Sequence, residues 1–320
     1  MEVIHRESRL KLFPIMMYAV VMGFSGLTIT YQKATLWLGF PSIIGEVFMY
    51  LTTIIFIVVS IIYITKFSKY RAAVKNEFSH PIRINFFAAI SISMLMLAII
   101  YKENFPLLSA IFWYPATLLH FYLTMHTISF WINQNQQLDH SNPAWFIPIV
   151  GNVLVPVAGV GFADLGLLLY FFSVGMFFWI ILFSVILNRI IFHNQMAVKF
   201  MPTLFILIAP PAVGFIAYFK MFGILDTFAI MLFNLALFFT ILVAFMYKNF
   251  IKIKFFISWW AFVFPVAAMA ISAMLMYHEN SCLFLLLLSY IMIAAVTIIV
   301  SIVSYQTIVH IIKKEICIQE

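Results

Sequence analysis

Charge is what this sequence has least of. Eleven carboxylates and eighteen lysines and arginines are spread over 320 residues, so that 9% of side chains are charged, against about 25% in a soluble domain. So little polar surface excludes a water-facing globule. Cysteine is nearly missing as well: Cys282 and Cys317 make neither a disulfide framework nor a CxxC metal signature. The alternating ten-residue pattern of an outer-membrane barrel is absent, and the apolar runs have the roughly 20-residue length that a crossing helix needs. Hydrophobic residues make up 65% of the chain and the mean hydropathy is +1.09. What remains is an all-α integral membrane protein, because in lipid each backbone polar group must find its partner within the protein.

The charged and polar clusters divide the chain into ten spans, at 13–31, 43–64, 84–101, 106–130, 144–162, 165–187, 203–219, 226–246, 255–277 and 283–309, forming one domain over 1–320. The start, MEVIHRESRLKLFPIMM, has a charged lead and no small-residue cleavage site, so the first apolar segment is expected to be a retained span. With an even span count and a cytoplasmic N-terminus, fifteen of the eighteen Lys and Arg fall on the cytoplasmic side. Lys33, Lys102 and Lys220 are left outside. That asymmetry is the positive-inside pattern. It places both termini in the cytoplasm of a cell inner (plasma) membrane, and the net charge of +7 then faces anionic lipid, with no nucleic-acid partner implied.

Helix breakers are distributed unevenly. Odd spans carry Pro14, Gly23 and Gly26; Pro148, Gly151, Pro156 and Gly159; Pro210, Pro211 and Gly214; and Pro265. Even spans are mostly unbroken Leu, Ile, Val and Phe, with Pro115 the exception, and the third span has Ser91 and Ser93 but no proline. Proline frees a carbonyl one turn earlier, and in a membrane freed groups persist only against protein or a water-filled cavity. One reading is five helical hairpins with an inner ring of odd helices around a central pore. The other is that Gly and Pro serve helix packing. Asn152 divides in the same way, between lining a pore and bonding to a neighbouring helix.

The spans also lack ionisable residues. No Lys, Arg or Asp lies well inside one, and Glu46 and Arg83 sit near span ends. A proton-coupled carrier typically needs a buried carboxylate relay, so a passive pathway is favoured over a coupled one. His120 and His126 are six residues apart and, at 100° per residue, point to different faces, so one helix cannot offer both to a metal. A membrane enzyme would need a convergent polar site that scattered Asn, Ser and His do not supply, and no cofactor is expected.

Five segments carry a resemblance: VMGFSGLTITYQKA (21–34), NEFSHPIRINFF (76–87), NPAWFIPIVGNVLVPVAG (142–159), LIAPPAVGFIAY (207–218) and WAFVFPVAAMA (260–270). Together the chain resembles the tellurite-resistance and C4-dicarboxylate transporter family, which includes bacterial TehA proteins and plant guard-cell slow anion channels. The resemblance implies ten helices, five of them around a pore, in a homotrimer whose protomers each hold a pore. It implies a gated channel or facilitator for small anions such as chloride and nitrate, with malate or sulfite as further substrates. The alternative is a secondary transporter or exporter of C4-dicarboxylate, sulfite or tellurite-type oxyanions. The family's W-[AS]-[FY]-x-F motif reads Trp260-Ala261-Phe262-Val263-Phe264 here and puts a hydrophobic gate on Phe264. The expected pore lining is Gly23, Ser91, Ser93, Asn152, Pro156, Pro210 and Pro265. Pro265 is expected to bend the helix beside Phe264, because the residue before a proline is disfavoured in helical geometry.

Overall fold

A computed structural model describes residues 8–317, so the charged lead at 1–7 lies outside the described residues. Among the described residues, nine helical runs are long and apolar enough to cross a membrane: α1 (Ile15–Leu38), α2 (Ser42–Lys69), α3 (Arg83–Tyr101), α4 (Pro106–Asn133), α6 (Leu165–Phe192), α7 (Val198–Phe222), α8 (Thr227–Phe245), α9 (Ile257–Glu279) and α10 (Leu283–Ile312). Between α4 and α6 lies a shorter apolar run, α5 (Pro143–Gly159). It alternates 3-10 turns at Pro143–Trp145 and Gly151–Val153 with α-helix at Phe146–Val150 and Leu154–Gly159. Because a 3-10 turn rises about 2.0 Å per residue against 1.5 Å in an α-helix, this run reaches about 28 Å, close to the thickness of a hydrocarbon core. Among the described residues the only strand-like feature is a bridge between Val160 and Ala163.

Most boundaries fall within a few residues of expectation. The larger differences are α1, α2 and α6 at their ends, which run on because polar residues do not stop a helix, and α7, which starts five residues early with the 3-10 stretch Val198–Ile208. What stops α1 is Gly39, left-handed at φ 73°, a conformation that glycine adopts without Cβ strain. A short helix at Arg71–Phe78, between α2 and α3, was not anticipated from the sequence.

The odd helices form the interior. α1, α3, α7 and α9 are 72–89% buried, while the even helices are 22–39% buried, leaving Leu, Ile and Phe side chains on the outside for lipid. The ring closes in the order α1, α3, α5, α7, α9 and back to α1, and each odd helix packs on the even helix that follows it.

The inner helices share one construction. All five contain 3-10 structure at or near their N-terminal ends: Ile15–Met17, Arg83–Phe87, the two α5 segments, Val198–Ile208 and Ile257–Phe262. The even helices of this set are unbroken α-helix. Proline marks the transition, with Pro156, Pro210, Pro211 and Pro265 all lying in the first turn of the α-helical part. Backbone N–H groups in a first turn have no intrahelical partner, so proline there sacrifices no bond. This corrects the expected kink. Phe264 lies inside the α-helical stretch Val263–Glu279 and is not driven out of helical geometry; the irregularity precedes it, in the 3-10 turns. In α3, which lacks a proline at this junction, Ser91 Oγ donates to the Ala88 carbonyl at 2.9 Å.

At the N-terminal end of the ring, a buried ion pair staples three segments. Lys66 Nζ of α2 lies 2.7 Å from Glu77 Oε2, with both side chains at most 4% exposed. Glu77 also accepts from Tyr63 Oη and from the Ile15 N–H, and Lys66 donates to the Phe13 carbonyl. Each charge is therefore hydrogen-bonded on more than one side, which is the condition for tolerating it away from water.

Candidate functional site

Two cavities lie end to end within the ring. The first, of about 70 Å³, is bounded by the N-terminal halves of all five inner helices, including Met22, Ala89, Val150, Pro210 and Pro265. The second, of about 300 Å³, is bounded by their C-terminal halves, including Gly26, Met96, Val157, Ile216 and Ala268. Three side chains line both: Leu154 of α5, Val213 of α7 and Phe264 of α9. The division between the cavities is thus wholly apolar and contains one aromatic ring.

The walls are apolar on both sides. Thr203 and Ser258 are the hydroxyl side chains on the first cavity, and Lys33 and Lys220 are the charged ones on the second. No carboxylate lines either cavity among the described residues.

Phe264 takes its position from its neighbours. Phe262, two residues earlier, packs edge-on against Phe205 at 4.6 Å and against Phe250 at 5.9 Å, in a cluster away from the cavities. Trp260 Nε1 donates to Thr307 Oγ1 of α10 at 3.0 Å, and its ring lies against Phe24 of α1. With Trp260 held by two helices, the following turn aims Phe264 at the axis.

Of the remaining expected lining residues, Pro210 and Pro265 border the first cavity. The others pack between helices and line neither cavity. Gly23 faces Trp260, so that a Cβ there would stand 2.6 Å from the indole. Ser93 Oγ donates to the Ala89 carbonyl and approaches the Tyr18 carbonyl of α1. Ser91, having given its proton to Ala88, accepts from His120 Nδ1 of α4 at 2.9 Å. Asn152 Nδ2 donates to Thr124 Oγ1 of α4 and to the Ile149 and Pro148 carbonyls. Pro156 sits at the start of the last α-helical turn of α5 and is buried. The cause is shared: polar groups near a break in an inner helix are consumed by carbonyls and hydroxyls that would otherwise be unsatisfied in lipid. His126 stacks on Phe78 at 4.4 Å and so faces elsewhere than His120, which meets Ser91.

The surroundings of the second cavity show what sequence reading left unconnected. Lys33, Lys102 and Lys220, from α1, the α3–α4 turn and α7, all act on the single carboxylate Glu103. Lys33 Nζ bonds Glu103 Oε1 at 2.5 Å. That bond, reinforced by the charges of Lys33, Lys220 and Lys102 and opposed by partial burial, holds the Glu103 carboxyl below its ordinary range. Lys102 Nζ donates to the Ala158 carbonyl at 2.9 Å and to the Val160 carbonyl, capping the end of α5. Burial, and then the Lys33 charge, push the Lys102 ammonium below its ordinary value, with Glu103 partly opposing. The sole signal in the sequence was that these were the three cations assigned to the far side.

Comparison with known proteins agrees with this architecture. The family model described as voltage-dependent anion channel, SLAC1, matches residues 12–308. The chain is 28% identical over 309 residues to the S-type anion channel SLAH2 of Arabidopsis thaliana, covering 93% of this chain and 59% of that relative. It is 28% identical over 297 residues to an uncharacterized transporter of Methanocaldococcus jannaschii, covering 85% and 86%. It is 25% identical over 287 residues to a tellurite resistance protein TehA homolog of Haemophilus influenzae, covering 87% and 86%. The chain thus spans less than two thirds of the plant relative's length and most of the two prokaryotic ones. A ring of broken helices around an aromatic constriction, in a chain matched from residue 12 to residue 308, identifies this multi-pass membrane protein as a member of the voltage-dependent anion channel family.

Proposed function

We propose that the protein is a gated channel for small anions, chloride and nitrate among them, with Phe264 as the gate. The observation that carries this reading is the sharing of the Phe264 ring by two cavities otherwise lined by opposite halves of the same five helices. Ions crossing the ring must pass it, and with Leu154 and Val213 it leaves an unhydrated neck. Pro210 and Pro265 line the approach from the first cavity. Gating then requires only that one side chain change its rotamer or that α9 shift.

The apolar walls support passive flow over proton-coupled carriage, because a protonatable relay would need a carboxylate on the path. In this reading the chain crosses the cell inner (plasma) membrane ten times, α5 included, with both ends cytoplasmic. The first cavity opens to the cytoplasm and the second to the outside. Three copies assemble, each with its own pore, through lipid-facing surfaces of the even helices.

Expression of Phe264→Ala in oocytes or liposomes tests the gate. The expected result is a large anion current reversing at the anion Nernst potential, where the wild type passes little. A well-expressed Phe264→Ala protein with wild-type conductance overturns the gate assignment. A reversal potential that follows pH would instead identify a proton-coupled carrier.

A further inference from the structure

The Lys33 and Lys220 side chains line the outer cavity although its remaining walls are hydrocarbon. Their situations differ. Lys33 is buried, pairs with Glu103 at 2.5 Å, and lies 5.4 Å from the Trp37 ring. Lys220 has no hydrogen-bond or ion-pair partner among the described residues, yet it borders the same space as Trp37. Lys102 is spent on the carbonyls that end α5. With Lys33 paired to Glu103 and Lys102 spent on the α5 carbonyls, the Lys220 amino group, which has no direct partner and feels Glu103 only at a distance, faces a low-dielectric cavity that ends on Phe264.

We propose that Lys220, with the Lys33–Glu103 pair beside it, is an anion-capture site at the outer end of the path, taking small inorganic anions by charge and not by shape. An ammonium is a compact point charge without the planar fork of a guanidinium, so it concentrates anions without demanding a particular geometry. Low-dielectric walls focus its field along the cavity. Glu103 limits the attraction: by neutralising Lys33 it keeps the site from holding an anion too tightly to release it, as conduction requires. This assignment rests on the channel reading for its purpose, but not for its detection.

Trp37 is a built-in reporter, since it lines the same cavity. The experiment compares quenching of Trp37 fluorescence by iodide and by neutral acrylamide in purified protein, isolating the Trp37 signal by subtracting the matching Trp37→Phe protein. At about 10 mM ionic strength, where the screening length is about 30 Å, Lys220→Gln is expected to lower the iodide quenching constant roughly threefold. Acrylamide quenching should stay unchanged, and Lys220→Arg should keep the wild-type iodide value. At about 1 M salt, with a screening length of about 3 Å, the difference should vanish. Equal iodide quenching in wild type and Lys220→Gln at low salt overturns the site. Recording the same substitution in a Phe264→Ala background separates the two ideas. Loss of iodide quenching without any anion current sinks the channel and leaves the site; current with unaltered quenching does the reverse.

Discussion

Gly26 of α1 lies directly against the base of the Phe264 ring. A methyl group added at Gly26 would stand 3.7 Å from Phe264 Cδ2 and 2.9 Å from Ala267 Cβ. The contact with Ala267 is too short for real Cβ atoms, so helix α9 would have to move. Gly26→Ala is expected to lower stability by about 1–3 kcal/mol, the usual effect of overpacking, read as a fall in melting temperature in detergent. Because the displaced helix carries Phe264, the same variant should leak anions in a liposome flux assay. A tight, wild-type-stable Gly26→Ala protein would show that α1 does not seat the ring.

Glu77 compensates a buried charge. Glu77→Ala leaves Lys66 without its carboxylate at a site 3% exposed, and breaking a buried pair on one side costs about 3–5 kcal/mol. Thermal unfolding should show that loss. Replacing both partners, as Lys66→Met with Glu77→Leu, should recover most of it, since two apolar groups leave no orphaned ion.

Asn152 offers a test of roles. Asn152→Leu removes a donor from the Ile149 carbonyl and from Thr124 Oγ1, while the Pro148 carbonyl keeps its bond from Thr124, and losing such hydrogen bonds costs about 0.5–1.5 kcal/mol each. In a Phe264→Ala background its anion selectivity should match the parent, because the side chain faces α4 and not the axis. Altered selectivity with unaltered stability would return Asn152 to the pore wall.

The Glu103–Lys33 pair carries a pH signature. Glu103 titrates below its ordinary range, so its folded form is favoured when ionised. Its stabilising effect is therefore complete above the ordinary carboxylate pKa and fades as pH falls through the lowered folded value. Melting curves of wild type and Glu103→Gln should differ by a small constant amount at neutral pH and converge in acid. The effect is small because the carboxylate is 58% exposed. Divergence on acidification would contradict the sign.

Much of this was legible without coordinates. Apolar run length and the contrast between broken odd and smooth even spans follow from what lipid demands of a backbone. The azimuth of individual side chains was not legible. Gly23 and Gly26 are three residues apart on one helix; the first meets Trp260 and the second Phe264, a distinction set by how α9 crosses α1. Ser91, Ser93 and Asn152 are suited equally to a pore or to a neighbour, and their partners come from helices that periodicity cannot orient. The meeting of Lys33, Lys102 and Lys220 around Glu103 joins positions that are distant in sequence, with no local pattern to announce it. Composition left Phe262 and Phe264 equivalent. The family motif distinguished them, and the coordinates put them in different surroundings.

The 3-10 stretch Ile257–Phe262 has six residues, and at three residues per turn it makes two complete revolutions. It therefore works as an angular spacer as well as a linear one. Deleting or adding a single residue there would rotate everything beyond it by about 120° relative to everything before it. Either Trp260 would leave its seat on Gly23, or Phe264 would swing off the axis into a helix wall. Substitutions in this stretch alter fit, but a change of length alters phase. An insertion series across Ile257–Phe262 should lose closure at one or two added residues; three restore the azimuth but displace Phe264 by about 6 Å along the axis, so closure should not return in full.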